Sequence, residues 1–243
     1  MKARNLFKFI LVVSFLGCSL PALAQQKRFT YDGGYASTYA RNNAWVSYGS
    51  GYNQNPFNNF PNNCANFVSQ AIIAGMIRKT SPSDVFFSRF DFTADLSAPV
   101  TSPRWFYLNP NTGSNDRGPA WSDARKMHEY ANYNKPSYKG LHFVFIGSDT
   151  PSKRTIDPGS LRPGDVIFCD WQNDGTIDHV MMIERIDNSW WIFNKYNRIF
   201  VAGQSNNHAD TALQWIIDKN YQDNRTWASF RVYRPTDYNQ AGR

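Results

Sequence analysis

The chain predicts an α+β fold, with helices in its N-terminal half and an antiparallel sheet in its C-terminal third. Three observations predict it. Apolar or small residues recur three and four apart at Phe67, Val68, Ala71 and Ile72. Short apolar or alternating runs separated by Asn, Asp and Gly fill the sequence after residue 165. No internal repeat or low-complexity tract interrupts the 243 residues, so helices first and strands later read as one domain.

Residues 1–24 stand apart. Lys2, Arg4 and Lys8 precede an apolar run from Phe9 to Leu20, and Ala22-Leu23-Ala24 supplies a small-x-small cleavage pattern. This is the layout of a secretory signal peptide, with a mature domain over 25–243 and a secreted or periplasmic destination. Lipidation at Cys18 is the weaker reading, because the better cleavage pattern follows it. No later apolar stretch reaches about 18 residues, so no membrane span is expected.

Loss of the three leader cations lowers the formal charge from +7 to +4. That mild balance suits solubility or an anionic polymer, and Lys and Arg do not cluster as nucleic-acid binding requires. Only Cys64 and Cys169 remain after the leader. In an oxidising compartment they are a candidate disulfide, although Cys169 falls in an expected strand. The four scattered histidines show no metal-ligand spacing, so neither a metal nor an organic cofactor is expected.

Along the chain, Tyr31, Tyr35, Tyr39, Asn42 and Trp45 keep helical spacing and predict an aromatic-faced helix whose rings enter the core. A Gly/Asn/Pro-rich loop follows over Tyr48 to Asn63. Asn62 and Asn63 then precede an amphipathic helix opening at Cys64 and ending near Gly75. Thr80 to Pro119 lacks a sustained period and is expected as an irregular insertion around 80–120; the aromatics from Thr80 to Trp121 are expected mostly in the core, with any exposed Trp or Tyr able to stack on a sugar. Ser122 is the expected cap of a helix reaching Tyr133. Strands are expected over Leu141–Ile146, Asp165–Trp171, Ile177–Ile186, Trp190–Phe193, Ile199–Gln204 and Trp227–Tyr233, with a short helix over Asp210–Lys219.

A cysteine in the first turn of a helix lies beside unpaired backbone N–H groups and the positive dipole end, which favour its thiolate. A structural thiol is the ordinary alternative, because free cysteine is among the most buried residue types. What shifts the balance is a base. His128 falls in a helix, His142 among apolar strand residues and His208 in a polar segment. His179 opens the run Val180–Ile183 after a turn, at a strand end where catalytic groups are commonly displayed.

Tyr31-Asp32 with Tyr39-Ala40, the run N-C-A-N-F-V-S-Q from Asn63, Pro163-Gly164-Asp165-Val166-Ile167 and Asp178-His179-Val180 together resemble the putative amidase domain family. That family is a branch of the papain-like cell-wall amidases and peptidases of NlpC and CHAP type. The resemblance covers roughly Tyr31 to Gln214. It departs where relatives often carry Asp-Cys-Thr and this chain has Asn63-Cys64-Ala65.

The resemblance implies a papain-like fold with the Cys64 helix packed on the sheet, Cys64 as nucleophile and His179 as base. A third polar residue is expected where relatives show a histidine followed by Thr or Ser. Here that place holds Gln204-Ser205, making Gln204 the first candidate, Asn206 the second and Asn194 a third. An amide orients an imidazole through its carbonyl oxygen without adding charge. Tyr52, Asn62 and Asn63 are candidate oxyanion donors beside the Cys64 N–H. The implied activity is thiol-dependent hydrolysis of an amide, foremost in peptidoglycan or another peptide. The alternatives are an inactive cell-wall-binding module and a secreted toxin or effector using the same chemistry on a protein.

Overall fold

The computed structural model describes residues 28–46, 56–57, 60–92, 104–105, 107, 117–133, 140–189, 194–222 and 229–239. The expected leader with Cys18, the strand expected over Trp190–Phe193 and Tyr52 lie outside the described residues.

Six helices and seven strands are described: α1 Gly33–Asn43, α2 Cys64–Ile77, α3 Pro82–Ser88, α4 Pro119–Ser122, α5 Ala124–Tyr133 and α6 Leu213–Gln222, with β1 Arg28–Thr30, β2 Gly140–Asp149, β3 Val166–Asp170, β4 His179–Ile186, β5 Ile199–Gly203, β6 His208–Ala212 and β7 Ser229–Asn239. The mixture of helix and antiparallel sheet expected from the sequence is the observed class.

The sheet is not a simple meander. β3, β4, β5 and β6 follow one another as antiparallel neighbours, but β7 returns to lie between β3 and β2. β1 joins the same edge of β7 as β3, because Tyr238 pairs with Phe29 on one side and Leu141 on the other. One sheet face packs on α1, α2 and α5 through Phe168, Val180, Met182 and Tyr233. The opposite face, with Ile167, Cys169, Met181 and Ile183, packs beneath Leu213, Ile216 and Ile217 of α6.

The central helix differs from the expected amphipathic one. From Cys64 through Met76 every residue of α2 is buried. The stretch has no charged side chain, and a helix apolar all round belongs inside a core. Phe67, Val68, Ile72 and Ile73 each stabilise the fold by about 1.5–3 kcal/mol on full burial. Its polar members are bonded rather than solvated. Ser69 Oγ donates to the Trp121 carbonyl at 3.0 Å and accepts from Trp105 Nε1 at 2.9 Å, while Gln70 Oε1 accepts from the Tyr39 hydroxyl at 2.7 Å.

The helix also runs past Gly75, to a left-handed cap at Arg78 with φ +56°. Gly75 is a contact glycine rather than a terminator. A Cβ there would come within 2.6 Å of the Tyr31 ring, so its absence lets the N-terminal segment close on the helix. Of the expected aromatic core face, Tyr39 is buried but Tyr35 and Trp45 are exposed. Asp123 breaks the helix expected from Ser122, its carboxylate accepting from Lys126 N at 2.9 Å. The residues after β5 form β6 before α6 begins.

The Pro163-Gly164-Asp165 turn locks the first helix to the sheet. Gly164 sits at φ +89°, and a Cβ there would lie 2.4 Å from Gly33 Cα. Tyr31 donates its hydroxyl to the Gly164 carbonyl at 2.6 Å. Buried Asp165 takes two bonds from Arg234, each 2.7 Å, and one from Arg162 N at 2.8 Å. The two Arg234 bonds give this pair the fork geometry that makes guanidinium–carboxylate contacts strong.

Candidate active site

The N-terminus of α2 meets the start of β4 at one end of the sheet. There Cys64, Asp178 and His179 line a cleft of about 550 Å³ together with Trp171, Ser205, Asn206, Asn207, His208 and residues of α6. Trp45 and Trp215, both more than half exposed, stand on its rim. The structure therefore brings three of the four sequence-predicted residues, Cys64, His179 and Asn206, to one cavity. Gln204 lies behind its wall.

Backbone order places the thiol. Cys64 is the first residue of α2 and is 3% exposed. The backbone N–H groups of Val180, Ala65 and Cys64 itself lie near its sulfur and favour the ionised form. The Val180 contact sets the sulfur beside the strand that His179 opens. Burial pushes the Cys64 thiol up from its ordinary value, and the three N–H groups reduce that rise without reversing it. The thiolate expected from the helix dipole is therefore not the resting form.

Asn63 does not cap the helix with its side chain. It belongs instead to a buried amide relay. Trp121 Nε1 donates to Asn66 Oδ1 at 2.6 Å, and Asn66 Nδ2 donates to Asn63 Oδ1 at 2.8 Å. Asn63 Nδ2 donates to Gln204 Oε1, and Gln204 Nε2 donates to the Asn43 and Ala44 carbonyls, each at 3.2 Å. The relay thus joins α4, α2, the end of β5 and the C-terminus of α1. Both ends of the Gln204 amide serve it. Asn194 likewise bonds Gln214 of α6, through Nδ2 at 2.8 Å.

A turn hydrogen-bonded throughout sets the imidazole. Asp170 accepts from Asp174 N and Gly175 N at 3.1 and 2.9 Å, and Asp178 accepts from Trp171 N at 2.8 Å. The Trp171 ring then stacks on His179, with centroids 6.1 Å apart and planes at 27°. The indole plane thus flanks one face of the imidazole at the strand end.

Two residues that the sequence reading passed over belong to the site. Ser205, at φ +87°, accepts the Asn63 backbone N–H at 2.9 Å through Oγ. A non-glycine residue in that region carries strain, which gathers at functional sites. His208 is buried against the same cleft, its ring 6.5 Å from that of His179. Of the candidate oxyanion donors, Asn63 has both its N–H and its side-chain amide engaged, whereas Asn62 lines the cleft. Trp105 and Trp121, from the stretch whose aromatics were expected mostly in the core, are wholly buried. Cys64 and Cys169 are both free, packed in the two different apolar clusters.

These features define an α+β protein in which a helix start and a strand start share one polar, tryptophan-rimmed cleft. The chain belongs to the putative amidase domain family, whose model matches residues 26–229. That membership points to amide hydrolysis and hence to a hydrolase. No curated protein and no solved structure matches the chain. Among the described residues no helix is long and apolar enough to cross a membrane.

Proposed function

We propose that the protein is a papain-like (NlpC/CHAP-type) cysteine amidase, exported through its N-terminal leader and acting on an amide of peptidoglycan. The observation that carries this reading is the opening of the Cys64 helix and the His179 strand onto one cleft. Because burial keeps the thiol protonated, His179 acts as general base. It takes the Sγ proton as sulfur attacks the acyl carbon, then gives that proton to the departing amine as the C–N bond breaks. Water next attacks the thioester, and its proton returns through His179 to free the Cys64 thiol. In this scheme the Cys64 N–H and the Asn62 side-chain amide serve as the donors to the developing oxyanion.

The cleft supports a sugar-bearing peptide as substrate. Trp45 and Trp215 offer exposed ring faces, and Asn62, Asn206 and Asn207 supply amides suited to hydroxyl and acetamido groups. The raised thiol is the observation on the side of an inactive wall-binding module. Digestion of purified peptidoglycan separates the two. The amidase releases free amino groups without new reducing ends. Release of reducing ends instead would place the chemistry on glycosidic bonds, and release of neither would favour the binding module.

A further inference from the structure

We propose that His208 is the positioning residue for the His179 imidazole. The inference deepens the hydrolase reading and rests on it for its catalytic meaning.

The β5–β6 hairpin creates the seat. Its register pairs Gly203 with His208. A Cβ on Gly203 would lie 2.7 Å from His208 Cε1 and 3.0 Å from Nε2, so glycine is what admits the ring. The same hairpin fixes the tautomer. His208 Nδ1 lies 2.6 Å from the Asn206 carbonyl oxygen, a partner that can only accept. The proton therefore sits on Nδ1, and Nε2 is left as a lone-pair acceptor.

That acceptor is buried without a hydrogen-bond partner, on a residue 7% exposed. An unmet buried acceptor is destabilising, and its ring is tilted 40° from His179 across the 6.5 Å between centroids. At that separation the rings make no direct bond. Catalytic hydrogen bonds are often long before substrate binds and tighten in the complex. A small inward shift lets a His179 N–H donate to His208 Nε2, leaving the other His179 nitrogen for the Cys64 proton. Gln204 cannot do this with the groups it commits to Asn63, Asn43 and Ala44.

The charged and titratable groups around this pair are Cys64 from α2, Asp178 beside His179, and Lys219 from α6. Burial holds His208 below its ordinary value against the opposing Asn206 carbonyl, with a smaller contribution from Lys219, so it remains the neutral acceptor that the arrangement needs.

The test is NMR of the imidazole nitrogens and carbons across pH in the full chain, comparing wild type with His208→Ala and His208→Gln, the latter retaining a carbonyl acceptor. Expected for wild type is one dominant neutral tautomer of His179. In His208→Ala the tautomers mix and the His179 pKa falls by roughly half to one unit, while His208→Gln restores part of both. Peptidoglycan cleavage falls about tenfold or more in His208→Ala, through kcat rather than KM. An unchanged His179 tautomer and pKa in both variants would overturn the inference. Should His208→Ala not fold, His208→Phe, which keeps a ring of similar size and removes the acceptor, decides by the same criterion. A wild type that shows the coupling but cleaves nothing would refute the hydrolase reading and leave the His208–His179 relation standing.

Discussion

The Asn63 side chain donates to the Gln204 carbonyl oxygen across 141 residues of sequence, tying the residue before Cys64 to the end of β5. The bond lies in the middle of the relay that runs from Trp121 to the last carbonyls of α1. Its geometry makes Gln204 an anchor of the helix start. Gln204→Ala strands the Asn63 amide, removes the Gln204 donor from the Asn43 and Ala44 carbonyls, and is expected to lower stability by about 1–3 kcal/mol. It also loosens the first turn of α2, so iodoacetamide reaches Cys64 faster. Urea unfolding and alkylation rates check the two effects, and an unchanged alkylation rate would remove the anchoring role.

Cys64 has its pKa raised by burial. In a Cys169→Ala background, its alkylation rate is expected to climb through pH 8.5 and beyond, with no plateau near neutrality. The sign is that of a neutral resting thiol whose proton must be removed during attack. A plateau reached by about pH 6 would reveal a preformed thiolate–imidazolium pair.

Gly164 combines positive φ with backbone contact on Gly33. Gly164→Ala is therefore expected to destabilise by about 3 kcal/mol or more, through left-handed strain together with the collision of Cβ with α1. Thermal unfolding measures it. A loss below about 1 kcal/mol would mean that the α1–β3 junction opens without consequence.

His128 in α5 is lowered to about 4 by burial first and by Arg231 second. Its folded value lies below the ordinary 6.5, so the unfolded chain binds more protons between the two values. Stability is then present above about pH 6.5 and lost as pH falls toward about 4, by on the order of 2 kcal/mol after discounting for partial exposure. His128→Gln should flatten that limb in urea titrations at pH 7 and pH 4.5.

Local pattern made the two ends of the candidate site legible. Cys64 was readable from helical spacing and His179 from a turn followed by an apolar run, because both signals lie within a few residues. What surrounds them depends on residues far apart in the chain. The apolar spacing of α2 gave its helical period but not its complete burial, since its outward face is covered by Trp105 and Trp121. His208 read as one more polar loop residue, because its seat depends on the missing Cβ of Gly203 across the hairpin. A glycine five residues before a histidine around a Gln-Ser-Asn-Asn turn is the trace it left in the sequence. Trp45 and Trp215 lie 170 positions apart by number and only the folded cleft brings them together. The Pro-Gly-Asp turn was visible as a motif, but its reason, the close approach to Gly33 and the Arg234 fork, was not.

The central claim is that the Cys64 sulfur forms the bond that replaces the amide. Its most direct test is the initial rate of amine release from purified peptidoglycan by wild type and by Cys64→Ala at matched folded concentration. The account predicts steady release by wild type and a fall of at least about 10³-fold in the variant. Release by Cys64→Ala at a rate comparable to wild type would contradict it.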